Sequence, residues 1–150
     1  MTRQSFEELY QPRTWYGLSG AQLTGEQVAE HLEAAADLME RENWDPRQHA
    51  PFSGRHLRDA LHHTARQGKG DADTQWVART VMETLLRAHT GAPYVDYEVW
   101  SEHRDRTLTD VLNLLRAAAT VARETGPSAP PPPCLRLTAS ETPSITEGAR

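Results

Sequence analysis

Two groups of side chains in this sequence have the types and spacing to support chemistry. Asp96, Glu98, Glu102, His103 and Asp105 place four carboxylates and an imidazole within ten residues. Such a set suits a hard divalent cation, which takes oxygen ligands, or an acid and base pair in which carboxylate and imidazole exchange a proton. Arg55, Arg58, His62 and Arg66 recur at intervals of three and four, so a helix gathers them on one basic side. Guanidinium donors arranged in this way fit an acidic protein surface or a nucleic-acid backbone.

Each group also has a plainer meaning. A dense acidic stretch ahead of a helix is commonly a solvated loop, and a basic helix side can offset acids on a neighbouring helix, here Glu30, Glu33 and Asp37. Other chemistries have less support. No nucleophile elbow and no local Cys and His signature is present, and Gly68, Lys69 and Gly70 lack the further glycines of a phosphate loop, which leaves a turn between helices. The seven histidines include no pair three or four apart, the spacing that presents two imidazoles to one zinc ion, and His62 and His63 are adjacent and point to different faces.

The elements that must carry these groups are helices. The segment from Trp100 to Gly126 holds the longest helical pattern, with Leu108, Val111, Leu112, Leu115, Ala118, Ala119 and Ala122 on one stripe. Thr107 and Asp110 form a capping box at its head, and Gly126 with Pro127 stops it. An earlier helix starts at a second capping box, Thr24 with Gln27, and Leu23 and Val28 form a hydrophobic staple. Its buried stripe is Val28, Leu32, Ala35, Ala36 and Met39, its outer face carries Glu26, Glu30, Glu33, Asp37 and Glu40, and Asn43 suits a left-handed terminus before Trp44 folds back.

Ser53 caps a second helix, with Phe52 and Leu57 as staple and Leu57, Ala60, Leu61 and Ala65 inward, and Gly68 ends it. Asp71 or Asp73 caps a third, with Trp76, Val77, Val81, Leu85 and Ala88 on its stripe and a stop near Gly91. Tyr94 to Trp100 alternates like a strand but has no clear partner except Leu135 to Leu137, so an extended linker is expected. Near the start, Ser5 and Glu8 frame a short turn holding Phe6, Leu9 and Tyr10, and the aromatic pair Trp15 and Tyr16 follows Pro12 and packs on the helices. From Pro127 onward Pro, Ser, Thr and Ala dominate, with Pro130 to Pro133 consecutive, a composition that predicts disorder.

The expected fold is therefore all-α, with an N-terminal arm over 1–23, a domain of four main helices over 24–125 and a Pro-rich tail over 126–150. A formal net charge of -5 disfavours general polyanion binding, and a single cysteine, Cys134, excludes an internal disulfide framework and a thiol cluster for zinc. The first ten residues hold no apolar run, so neither a signal peptide nor a membrane anchor is read there, and a cytoplasmic protein is expected.

Trp44 after a capped helix, a helix-rich middle, and Tyr97 to Arg106 leading into Thr107, Asp110, Val111 and Leu115 together resemble a family of small helical proteins of actinobacteria and their phages, domain of unknown function family 6197. The resemblance spans roughly residues 24 to 124 and implies a helical fold without an activity. The family pattern has a Cys and a Gly-Ala pair at the second helix and a Trp-Asn-Asp triplet before the last. This chain reads Phe52, Ser53, Gly54 and Trp100, Ser101, Glu102 at those places.

The leading reading is a non-catalytic interaction or regulatory protein that binds through Arg55, Arg58, His62 and Arg66, its partner another protein or a second copy, with no cofactor, nucleic acid or membrane. One alternative is a small enzyme using the carboxylate and histidine loop at 96–105, with or without a metal. Another is a DNA-binding helix pair centred on Arg55 to Arg66.

Overall fold

The computed structural model describes residues 3–43, 57–103 and 105–128. Two short 3-10 segments, Arg3–Tyr10 and Pro12–Trp15, precede five helices, α1 at Gly25–Arg41, α2 at Leu57–Arg66, α3 at Ala72–Thr90, α4 at Tyr97–Ser101 and α5 at Leu108–Thr125. The architecture is all-α, as expected, with no strand among the described residues. No helix among them is long and apolar enough to cross a membrane. The Ser53 cap, the Phe52 staple, the Trp44 fold-back, Arg55 and the tail from residue 129, with Cys134 and Leu135 to Leu137, lie outside the described residues.

α1 and α5 are antiparallel and form the spine. Each opens on a complete capping box, Thr24 with Gln27 and Thr107 with Asp110, in which the hydroxyl accepts from the third backbone N–H and the N3 side chain accepts from the cap N–H. The reciprocal bonds satisfy donors that a helix start leaves without partners. Small side chains let the two helices approach closely: Ala35 and Ala36 of α1 and Ala118, Ala119 and Ala122 of α5 are all fully buried. At the end of the pair even a methyl group is excluded, because a Cβ on Gly25 would run into the Ala122 carbonyl oxygen. The Gly25 N–H donates to the Pro127 carbonyl at 2.9 Å there, which ties the α1 head to the chain leaving α5.

Gly126 stops α5 without taking the left-handed conformation. Its backbone is extended, at φ -79 and ψ 163, and its N–H donates to the Ala122 carbonyl. Space explains the glycine, since a side chain at 126 would meet Gly25. Asn43, by contrast, takes the positive φ of 54 anticipated for it.

Val77, Val81, Leu85, Leu57, Ala60 and Leu61 bring α2 and α3 onto this spine. Asp71 is the cap of α3, accepting from the Thr74 N–H at 2.9 Å, and Gly91 closes the helix in the left-handed conformation. Asp73 serves a different contact, accepting from the Ser19 N–H and hydroxyl and so clipping the turn after Tyr16 to the α3 head. Periodicity places Trp76 on the inward stripe, but it is 45% exposed, because the stripe turns past it and Val77 and Ala78 fill the interior. Leu9 and Trp15 join the same core from the N-terminal segment, and the Trp15 indole donates to the Leu9 carbonyl at 2.8 Å.

The segment expected to be an extended linker instead contains α4. Asp96 caps it by accepting from the Glu98 and Val99 N–H groups, and Tyr97 and Ser101 are buried. The alternation of Val95, Tyr97 and Val99 resembles a strand, yet Val99 is 70% exposed. What holds α4 is Glu83 of α3, nearly buried, which accepts from the Tyr97 N–H at 3.1 Å and from Arg79 Nε at 3.2 Å.

Leu115→Ala is expected to cost about 2 to 5 kcal/mol, the range for a buried leucine, while Asn113→Ala on the exposed side costs little. Chemical denaturation of the two variants measures the difference. Helix propensity alone would make Gly25→Ala stabilising by roughly 1 kcal/mol. The crowding against Ala122 predicts the opposite sign, a lower midpoint in the same denaturation assay.

Candidate functional site

α2 supplies the basic side anticipated from the sequence. With Leu57, Ala60, Leu61 and Thr64 buried, the turns that remain outward carry Arg58, His62 and Arg66, all exposed and spaced four apart. Arg55, the fourth member, lies outside the described residues. Beside this row an open groove of about 390 Å³ runs between the last turns of α1 and the length of α2, lined by Leu38, Glu42, Asp59, His62, His63 and Arg66. His62 and His63 thus border one groove although they leave the helix at different angles.

Whether the basic row is spent inside the fold depends on where the acids of α1 go, and they go mainly to α5. Arg123 forks between two carboxylates, with Nε at 2.8 Å from Glu26 and Nη1 at 2.6 Å from Glu33. Arg116, two turns away, reaches Glu40 at 2.8 Å and Asp37 at 3.9 Å. Of the acids suggested as internal partners of α2, Glu33 and Asp37 therefore face arginines of α5. Arg58 lies 3.9 Å from Glu98 of α4, a long contact between an exposed and a half-buried group, and among the described residues His62 and Arg66 make no ion pair.

Arg123 leaves an electrostatic signature. Its hydrogen bonds hold the Glu26 and Glu33 carboxyls below the usual carboxylate range, and the two carboxylates raise the guanidinium in return. A carboxyl depressed by folding stabilises the fold above its unfolded pKa, and that contribution disappears as pH falls through the folded value. Arg123→Ala is accordingly expected to lower stability most at neutral pH, with the gap from the parent closing below about pH 4 and shrinking in high salt. Urea midpoints recorded across pH for both proteins read this out.

The acidic loop is dispersed over separate structural roles. Asp96 is the α4 cap, Glu98 lies by Arg58, and the Asp105 N–H donates to His103 Nδ1 at 3.1 Å. Among the described residues no three His, Cys, Asp or Glu side chains converge as a metal site would need. At the end of the loop Arg106 stacks 3.7 Å over the Trp100 ring and donates Nε to the Trp100 carbonyl. This pair borders a second groove, about 610 Å³, with Leu85, Leu86, His89 and Leu114 among its walls.

One polar residue of the interior escapes sequence reasoning. His31 is fully buried on α1, three residues after Val28 and four before Ala35. Its place on the apolar stripe is the available signal.

A family model described as a family of unknown function, DUF6197, matches residues 23–121 of the chain. No curated protein and no solved structure matches it.

Proposed function

This chain belongs to the family of unknown function DUF6197, and we propose that it is a non-catalytic interaction protein whose α2 surface captures an acidic face of a protein partner. The observation that carries this reading is the division of charge: Glu26, Glu33, Asp37 and Glu40 of α1 face Arg116 and Arg123, while Arg58, His62 and Arg66 stay exposed along one side of α2. Basic side chains that stay exposed are available to steer and hold an oppositely charged surface. The groove next to them adds Leu38 as an apolar floor, so a partner would meet charge and shape together. A net charge of -5 on the whole chain favours such a local contact over a nucleic-acid backbone, which calls for a broader basic surface. The actinobacterial or phage setting suggested by the sequence belongs to the same proposal, as does a cytoplasmic location.

Reversing Arg58 and Arg66 together to Glu tests the surface. Exposed pairs contribute little, so unfolding free energy should change by no more than about 1 kcal/mol. Quantitative capture of binding proteins from the native host, at low and at moderate salt, should then lose its salt-sensitive fraction in the double variant but keep it in Arg123→Ala. Equal capture by the parent and the double variant would overturn the assignment.

A further inference from the structure

The turn between α2 and α3 is fastened to α1 by one imidazole. His31 Nδ1 lies 2.7 Å from the Lys69 carbonyl oxygen, and a carbonyl only accepts, so Nδ1 carries the proton. The Thr64 hydroxyl, 3.4 Å from the same nitrogen, already donates to the Leu61 carbonyl. Nε2 is then the unprotonated nitrogen, buried and without a hydrogen-bond partner among the described residues. The backbone closes tightly on the ring: Gly70 has φ +112, and a Cβ there would sit 2.5 Å from Nδ1.

We infer that His31 is a proton-sensitive latch, which holds the Gly68 to Gly70 turn and the end of α2 against α1 while neutral and releases them when protonated. The charged imidazolium would place a second N–H where no acceptor stands among the described residues, inside a fully buried site. The charged groups around it do not cancel this. The Lys69 carbonyl at Nδ1 and Asp71 at the head of α3 favour protonation, His62 of α2 opposes it, and the Glu30 and Lys69 side chains line the groove beside the ring. Burial outweighs them and holds the imidazole below its ordinary range. The sign follows: neutral His31 is favoured by the closed state, so stability of the turn is lost as pH falls below the ordinary imidazole range. This latch stands whether or not α2 binds an acidic partner.

Amide hydrogen exchange on the full chain reads the latch at two bonds of the turn, Gly68 N–H to the Ala65 carbonyl and Lys69 N–H to the Thr64 carbonyl. After correction for intrinsic rates, their protection should fall about tenfold per pH unit below the imidazole range until the closed-state ring itself protonates, with α5 amides such as Leu115 unchanged. His31→Asn keeps a donor near the Nδ1 position and cannot titrate, so its turn protection should be flat across the same pH range. The same pH trend in His31→Asn, or flat protection in the parent, overturns the proposal. Should His31→Asn fail to fold, the ring resonances of His31 in the parent decide. Their titration must coincide with loss of Lys69 protection, and titration with the turn still protected overturns the latch.

Discussion

The close approach of α1 and α5 is the constraint on which the remaining structure depends. Alanines along both helices and glycines at Gly25 and Gly126 bring backbone to backbone where a larger side chain would hold the helices apart. Interior packing has little free volume, so the spacing of this pair fixes the surface on which α2 and α3 settle. It also fixes the axial register. Arg116 and Arg123 are seven residues apart on α5 and meet acids at matching steps along α1.

That register decides the charge pattern outside. An arginine that straddles two carboxylates takes both from circulation, and the two forks draw the acidic flank of α1 towards α5. The other flank of α1, towards α2, is left with the groove between Leu38 and Arg66. The exposed basic row on α2 is thus a consequence of how a different helix pair is neutralised. Individually such surface pairs add little stability, and their larger effect is on which charges remain to be used.

Much of this is legible in the sequence. The capping boxes at Thr24 and Thr107 and the stripes through Val28 and Val111 are local patterns, satisfied within a few residues, and the structure keeps them. What depends on distant partners is not legible. Tyr97 to Ser101 is helical because Glu83 of another helix receives the Tyr97 N–H, a contact that alternation of side chains cannot report. Trp76 misleads because a single large aromatic dominates a periodicity reading, although its neighbours Val77 and Ala78 define the buried side. For the candidate site, the spacing of Arg58, His62 and Arg66 is visible, whereas the pairing of Glu33 with Arg123 is not, because Arg123 lies on a helix ninety residues further along the chain. His31 is overlooked for a related reason: a histidine on an apolar stripe gains meaning only once the Lys69 carbonyl stands opposite it.

The bond from the Gly25 N–H to the Pro127 carbonyl has a geometric consequence for the surface. It holds Pro127 at the head of α1, whereas the groove beside α2 opens near Leu38, thirteen residues along the same helix. At 1.5 Å per residue the two points are about 20 Å apart. The clasp between Gly25 and Pro127 and the basic groove therefore occupy opposite ends of one helix, so a change at either can be made without touching the other.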